Sequence, residues 1–210
     1  MSADPKEGLS AVRRFALLAM MLTLALILGI VERAIPMDVM IPGVRLGLPN
    51  ALILLAIYLF SFRDVLTLVV LKCVMTALLA GTFVSFFYSI SGSLLSFFVM
   101  YALLRVSRAL VTSHAAPRPP HSALSTQHSA LNISPVGVSI TGAVFHNLGQ
   151  LLAACAVLGS AYVFSYLPVL LVSGAVTGLL VGLAVKYTLP YVWRHVGGSG
   201  RPPGESENKK

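Results

Sequence analysis

The sequence contains little charge. Asp, Glu, Lys and Arg make up 10% of its 210 residues, and only seven residues are acidic. Hydrophobic residues make up 57%, and the mean hydropathy is +0.86. Because soluble domains contain about 25% charged residues, this composition excludes an ordinary soluble domain and indicates an integral protein of the lipid bilayer. A chain of this length has room for roughly six helices of about 20 residues, the length that crosses a bilayer.

Several chemical motifs are also missing. The three aspartates, Asp4, Asp38 and Asp64, are isolated from one another, so the sequence has no aspartate cluster of the kind that holds magnesium on a diphosphate. There is no Walker A sequence, so any use of ATP must come from a partner chain. His146 has no carboxylate near it in sequence that would complete a hydrolytic triad. We therefore expect no catalytic residues, no cofactor and no enzymatic activity in this chain.

The cysteines, the basic residues and three of the histidines indicate no additional function. Cys73 and Cys155 lie in apolar runs, and we expect them to be buried without a disulfide. The net charge of +8 does not indicate nucleic acid binding, because the basic residues form no stripe and have no interleaved aromatics. His114, His121 and His128 match no zinc-binding spacing and have no Cys beside them, so we expect no metal site.

Hydropathy predicts an all-α membrane protein, a bundle of six transmembrane helices. The predicted spans are 15–31, 46–62, 65–82, 84–104, 136–158 and 162–185. The chain then divides into an N-terminal tail (1–14), helices 1 to 4 (15–111), a flexible loop rich in Pro, Ser and His (112–135), helices 5 and 6 (136–187) and a disordered tail (188–210). Most Lys and Arg residues fall on one side. This predicts a multi-pass protein of the inner (cytoplasmic) membrane whose two termini and 112–135 loop are cytoplasmic.

A first polar segment runs from residue 32 to 50 and reads E-R-A-I-P-M-D-V-M-I-P-G-V-R-L-G-L-P-N. Its prolines and glycines interrupt a helix, yet the segment stays apolar. We expect a re-entrant or lid-like segment over the outer mouth of the bundle, since irregular backbone at membrane depth lines a cavity or is buried in protein. This prediction places Glu32, Arg45 and Asn50 near a cavity. The alternative is that Glu32 and Arg45 are interfacial residues in water.

A second polar segment, 139–150, reads S-I-T-G-A-V-F-H-N-L-G-Q. On a helix, Ser139, His146 and Gln150 lie on one narrow stripe, which Asn147 and two glycines flank. One interpretation is a ligand-binding face with donors and acceptors aimed in one direction. The other is that these groups hydrogen-bond between helices as structural contacts.

Lys72 lies inside the third predicted span, where an unpaired ammonium is unfavourable. It either neutralises an anionic ligand group or makes a structural contact, for example with Glu32 or a backbone carbonyl. Gly174, Gly178 and Gly182 recur at four-residue spacing in the sixth span and predict close helix packing.

Glu32, Ile35-Pro36, the run P-G-V-R-L-G-L-P-N and the later S-I-T-G-A-V-F-H-N-L-G-Q together resemble the bacterial Gx transporter family, also labelled heptaprenyl diphosphate synthase component I. That family is similar to the substrate-binding S components of energy-coupling factor (ECF) vitamin transporters. The resemblance implies a six-helix bundle in which the segment after the first helix and the outward halves of later helices enclose a small molecule. It also implies partners: a transmembrane subunit and two ATPases.

We therefore expect a site that binds a small-molecule ligand through Glu32, Arg45, Asn50, Lys72, His146, Asn147 and Gln150. These groups would suit a small polar or zwitterionic molecule, and an isoprenoid diphosphate would favour Arg45 and Lys72. The alternative function is a non-catalytic membrane subunit associated with polyprenyl (heptaprenyl) diphosphate synthesis. A third possibility is a self-sufficient ion-coupled transporter, which Lys72 and His146 suggest as titratable groups.

Overall fold

The computed structural model describes residues 11–34, 47–80, 83–113 and 134–196. In these ranges the chain forms six α-helices and one short 3-10 helix, and no β-strand. The helices are α1 (Ala11–Ala34), α2 (Leu48–Leu59), α3 (Phe62–Ala80), α4 (Phe83–Ser113), α5 (Pro135–Leu158) and α6 (Leu167–Val196), with the 3-10 helix (Ala161–Tyr166) before α6. The all-helical prediction is confirmed.

Four of the described helical segments are long and apolar enough to cross a membrane: Ala11–Glu32, Phe83–Ser107, Pro135–Leu158 and Ala161–Val196. Helix α3 has 19 residues, but Arg63, Asp64 and Lys72 lie within it. Helix α2 has 12 residues, which gives a length of about 18 Å against a hydrocarbon layer of about 30 Å. The second predicted span, 46–62, is therefore a shorter helix than the hydropathy pattern predicts.

Local sequence explains where two of the helices begin and end. Gly47 has φ 70° and precedes α2, and Pro49 lies in the first turn, where its missing N–H is not needed. The Ser134 hydroxyl accepts a hydrogen bond from the N–H of Gly137 at 3.3 Å and caps α5. Gly159, with φ 61°, ends α5 in the left-handed conformation that glycine adopts most readily.

Helix α2 occupies the centre of the bundle. It contacts each of the other five described α-helices, and every residue from 53 to 60 is buried. Around it the helices follow the order α1, α3, α4, α5, α6, with each packed on the next. Among the described residues, no Cα atom of α1 comes within 8 Å of one in α6, so this ring of helices is loosest between its first and last members.

Two arginines at the start of α1 tie that helix to its neighbours. Arg14 forms an ion pair with Asp64 in the first turn of α3, and the other carboxylate oxygen of Asp64 accepts from the N–H of Ser61 at 3.3 Å. Arg13 donates to the carbonyl of His195 near the end of α6 at 2.8 Å. The first turn of α1, the start of α3 and the end of α6 therefore lie at the same end of the bundle.

The glycines of α6 permit close packing on α5. A Cβ atom at Gly178 would lie 2.7 Å from the Cα of Ile140, and one at Gly182 would lie 2.7 Å from the Cα of Val136. Such distances are possible only without side chains, so the predicted small-residue packing face is confirmed.

Three predicted boundaries differ from the helices. Helix α1 begins at Ala11 rather than at 15, and α4 continues to Ser113, just inside the predicted loop. Helix α6 continues to Val196, past the predicted boundary at 187. The rest of the predicted loop, most of both tails and residues 35–46 of the predicted lid lie outside the described residues.

We predict that Gly178→Ala lowers the free energy of unfolding by about 1–3 kcal/mol, because the new methyl group meets backbone atoms of α5 that cannot rotate away. The measurement is the thermal unfolding midpoint of the purified protein in detergent. Gly29→Ala is the matched control, because its Cβ would lie 3.5 Å from the Pro49 side chain, an ordinary contact. Equal midpoints for the two variants would contradict the close packing of α5 on α6.

Candidate functional site

A narrow cavity of about 10 Å³, roughly the space that one water molecule needs, lies between α2, α4, α5 and α6. Its lining consists of Gly47, Asn50, Leu54, Ser96, Met100, Ser139, Gly142, Ala143 and Val181. Gly47 and Asn50 belong to the first polar segment of the sequence, whereas Ser139 and Gly142 belong to the second. The two segments thus meet at one cavity.

The start of α2 is held by a carboxylate from α1. The N–H of Gly47 donates to Oε1 of Glu32 at 2.7 Å, and the N–H of Asn50 donates to the carbonyl of Gly47 at 2.8 Å. A negative charge at the amino end of a helix is favourable because it complements the helix dipole. Glu32 therefore positions the backbone next to the cavity through Gly47, and Asn50 lines the cavity itself.

Helix α4 supplies two lining residues that the sequence analysis did not single out, Ser96 and Met100. Ser96 is 2% exposed, and its hydroxyl has no hydrogen-bond partner among the described residues. A Cβ atom at Gly142 would lie 2.7 Å from Cγ of Met100 and 3.2 Å from the Ser96 hydroxyl, so both side chains lie against that glycine. One feature of the sequence could have indicated Ser96: the spacing of Ser89, Ser93 and Ser96 places their three hydroxyls on one helix face.

His146 and Gln150 face α4 rather than the cavity. A Cβ atom at Gly92 would lie 3.1 Å from Cε1 of His146 and 2.8 Å from Cγ of Gln150. The Ser91 hydroxyl donates to the carbonyl of Gly149 at 3.0 Å in the same contact. His146 is buried and lies one helical turn from Gly142, which lines the cavity.

Asn147 faces the opposite neighbour, α6. Its Nδ2 donates to the carbonyl of Leu170 at 2.8 Å, and the side chain is buried. This contact matches the structural interpretation of the second polar segment, in which amides hydrogen-bond between helices.

Lys72 connects α3 to α4. Its ammonium donates to the hydroxyl of Ser93 at 3.2 Å, and the side chain is 6% exposed. Beside it, the thiol of Cys73 lies 3.5 Å from the carbonyl of Ser89. Lys72 is thus in contact with the residue one turn before Ser96, without lining the cavity. Arg45 lies outside the described residues, and no cluster of three metal-ligating side chains occurs within the described ranges.

We predict that Glu32→Ala lowers the free energy of unfolding by about 1.5–3 kcal/mol, the range for a hydrogen bond to a charged group. Glu32→Gln is the matched variant, because the amide oxygen still accepts from Gly47 but carries no charge. Thermal unfolding in detergent should give the order wild type, Gln, Ala from most to least stable. If the Ala variant has the same unfolding midpoint as the wild type, Glu32 does not hold the start of α2.

We predict that Asn147→Ala lowers the free energy of unfolding by about 1–3 kcal/mol, because the buried carbonyl of Leu170 loses a donor from another helix. Ser173→Ala is the matched control, since its hydroxyl donates to the same carbonyl at 3.1 Å but from within α6. Denaturant unfolding in detergent should show a larger loss for Asn147→Ala. A larger loss for Ser173→Ala would contradict a bridging role for Asn147.

Comparison with protein families gives one match that covers most of the chain. A model described as heptaprenyl diphosphate synthase component I matches residues 21–115 and 122–188, which contain all of α2 to α5 and most of α6. No curated protein and no solved structure gives a significant match. The resemblance seen in the sequence motifs is confirmed at the level of the family. The chain belongs to the family described as heptaprenyl diphosphate synthase component I.

Proposed function

We propose that the protein is the membrane-embedded substrate-binding subunit, similar to an ECF S component, of a small-molecule uptake transporter. One observation carries the proposal: the two polar segments of an otherwise apolar chain both contribute to one cavity, Gly47 and Asn50 from the first and Ser139 and Gly142 from the second. Ligand sites are concave and mostly apolar, with a few polar groups that fix orientation, and this cavity has that composition.

The proposal includes a bundle in which all six helices are inserted in the inner membrane and both termini are cytoplasmic. Arg13 and Arg14 lie at the end of the bundle that holds Asp64 and His195, and cytoplasmic ends are rich in Arg and Lys. On α6, Tyr187 is 69% exposed and lies 21 residues after Tyr166, which is 52% exposed. That separation corresponds to about 31 Å, the thickness of the hydrocarbon layer, as expected for tyrosines at its two interfaces.

Energy for uptake comes from other chains in this proposal. The sequence has no Walker A motif, so a transmembrane partner and a pair of ATPases supply the work. Asn50 is the predicted ligand contact that lines the cavity. Glu32, Arg45, Lys72, His146, Asn147 and Gln150 remain proposed ligand contacts.

A second candidate function is a non-catalytic membrane subunit associated with heptaprenyl diphosphate synthesis. The description of the family favours it, and so does the use of Asn147 and the α6 glycines for helix packing. In that case the important surface would be the end of the bundle with Arg13 and Arg14.

Purification of the tagged full chain from its native membranes in mild detergent distinguishes these functions. We expect an ATPase pair and a second membrane protein to copurify, and uptake into proteoliposomes to require those partners and ATP. Copurification of a soluble prenyl diphosphate synthase without ATPases would support the second candidate instead. Uptake by proteoliposomes that contain this chain alone would contradict both and indicate an ion-coupled transporter.

A further inference from the structure

The Ser96 hydroxyl points to a ligand with a hydrogen-bonding group. It is 2% exposed, lines the cavity and has no hydrogen-bond partner among the described residues. Buried hydroxyls in folded proteins nearly always have a partner, from the protein, from water or from a ligand. Ser139 and Asn50 line the same cavity, and the Asn50 amide offers both donors and an acceptor.

The described lining carries no ionisable side chain. The amino end of a helix attracts anions. At the amino end of α2 this place is taken by the Glu32 carboxylate, which accepts a hydrogen bond from the N–H of Gly47 at 2.7 Å. A second anion beside it would meet a like charge. Lys72 donates to the hydroxyl of Ser93 at 3.2 Å and does not belong to the described lining. An anionic group placed here would lose its water without gaining a cationic partner from the described lining, which is unfavourable.

Met100 determines how much space the site has. Its side chain lies against Gly142, where a Cβ atom would be 2.7 Å from Cγ of Met100. Methionine is unbranched and has three rotatable side-chain bonds, so it adapts its shape to its surroundings. A change of the Met100 rotamer would enlarge the cavity, whose described lining also includes the apolar residues Leu54 and Val181 and the three polar side chains.

We propose that the captured molecule is small and uncharged, with a hydrogen-bonding edge on Ser96, Ser139 and Asn50 and an apolar body in the space that Met100 now fills. This inference rests on the proposed function and narrows it, because it excludes phosphorylated and carboxylate substrates at this cavity. Ser96 and Met100 become specificity-determining residues of the site.

The test measures which molecule stays bound to the purified full chain. Protein made in cells is purified in detergent and denatured, and the released compounds are quantified by mass spectrometry for wild type, Ser96→Ala, Gly142→Ala and Ser91→Ala. Ser91 is the matched control, because its hydroxyl is on the same helix but donates to the Gly149 carbonyl outside the cavity. Inorganic diphosphate serves as the defined anionic probe in thermal unfolding.

We expect an uncharged compound that wild type and Ser91→Ala retain at least about tenfold more than Ser96→Ala and Gly142→Ala. Without bound compound, Ser96→Ala should be at least as stable as wild type, because it removes a buried hydroxyl that lacks a protein partner. This combination separates a ligand contact from a structural hydroxyl, whose loss would lower stability. Inorganic diphosphate should leave the unfolding midpoint of wild type unchanged.

Three other results would overturn the inference in different ways. The proposal of an uncharged ligand would be wrong if wild type retained a phosphate or carboxylate compound that Gly142→Ala loses, or if diphosphate raised the unfolding midpoint. Either result would leave the proposed transport function standing. A compound that all four proteins retain equally would place the site elsewhere. If no compound is retained and no uptake complex copurifies, the proposed function fails together with the inference.

Discussion

The hydrogen bond from the Gly47 N–H to the Glu32 carboxylate holds the start of α2, the helix that contacts each of the other five described α-helices. A helix of about 18 Å leaves its amino end well inside a layer of about 30 Å if its other end lies near an interface. Backbone N–H groups at such an end need acceptors, because lipid offers none. Glu32 supplies one of them, and the cavity forms beside the turn that this bond fixes.

The helices around α2 are joined by two kinds of contact. Helix α5 packs closely on α4 and on α6 through glycines, with Gly149 close to the backbone at Gly92 and Gly178 close to Ile140. Helices α1 and α3 are held by polar side chains at defined points, such as Arg14 on Asp64 and Lys72 on Ser93. The cavity lies between the glycine-packed helices and the central helix, and its lining includes the flexible side chain of Met100.

Much of the fold could be predicted from the sequence, because a long apolar run has few stable structures other than a helix in the membrane. Helices α1, α4, α5 and α6 each contain most or all of one predicted span, although several of their ends lie beyond it. The central position of α2 could not be predicted, since residues 53–60 are apolar in a way that suits lipid and protein surroundings equally. At the cavity, polarity singled out Asn50 and Ser139, whereas His146 and Gln150 of the same predicted stripe contact α4 instead. Met100 was missed because an apolar residue in an apolar helix gives no signal.

The central claim is that the start of α2 and the first turns of α5 meet at one cavity. Asn50 and Ser139 both line it, whereas Ser165 lies exposed in the 3-10 helix beyond the far end of α5. The most direct measurement is thiol cross-linking in native membranes, with Cys73 and Cys155 replaced and cysteines introduced at positions 50 and 139. A short bifunctional reagent should join this pair and leave a control pair at positions 50 and 165 unlinked. Failure to join positions 50 and 139, or equal linking of both pairs, would contradict the account.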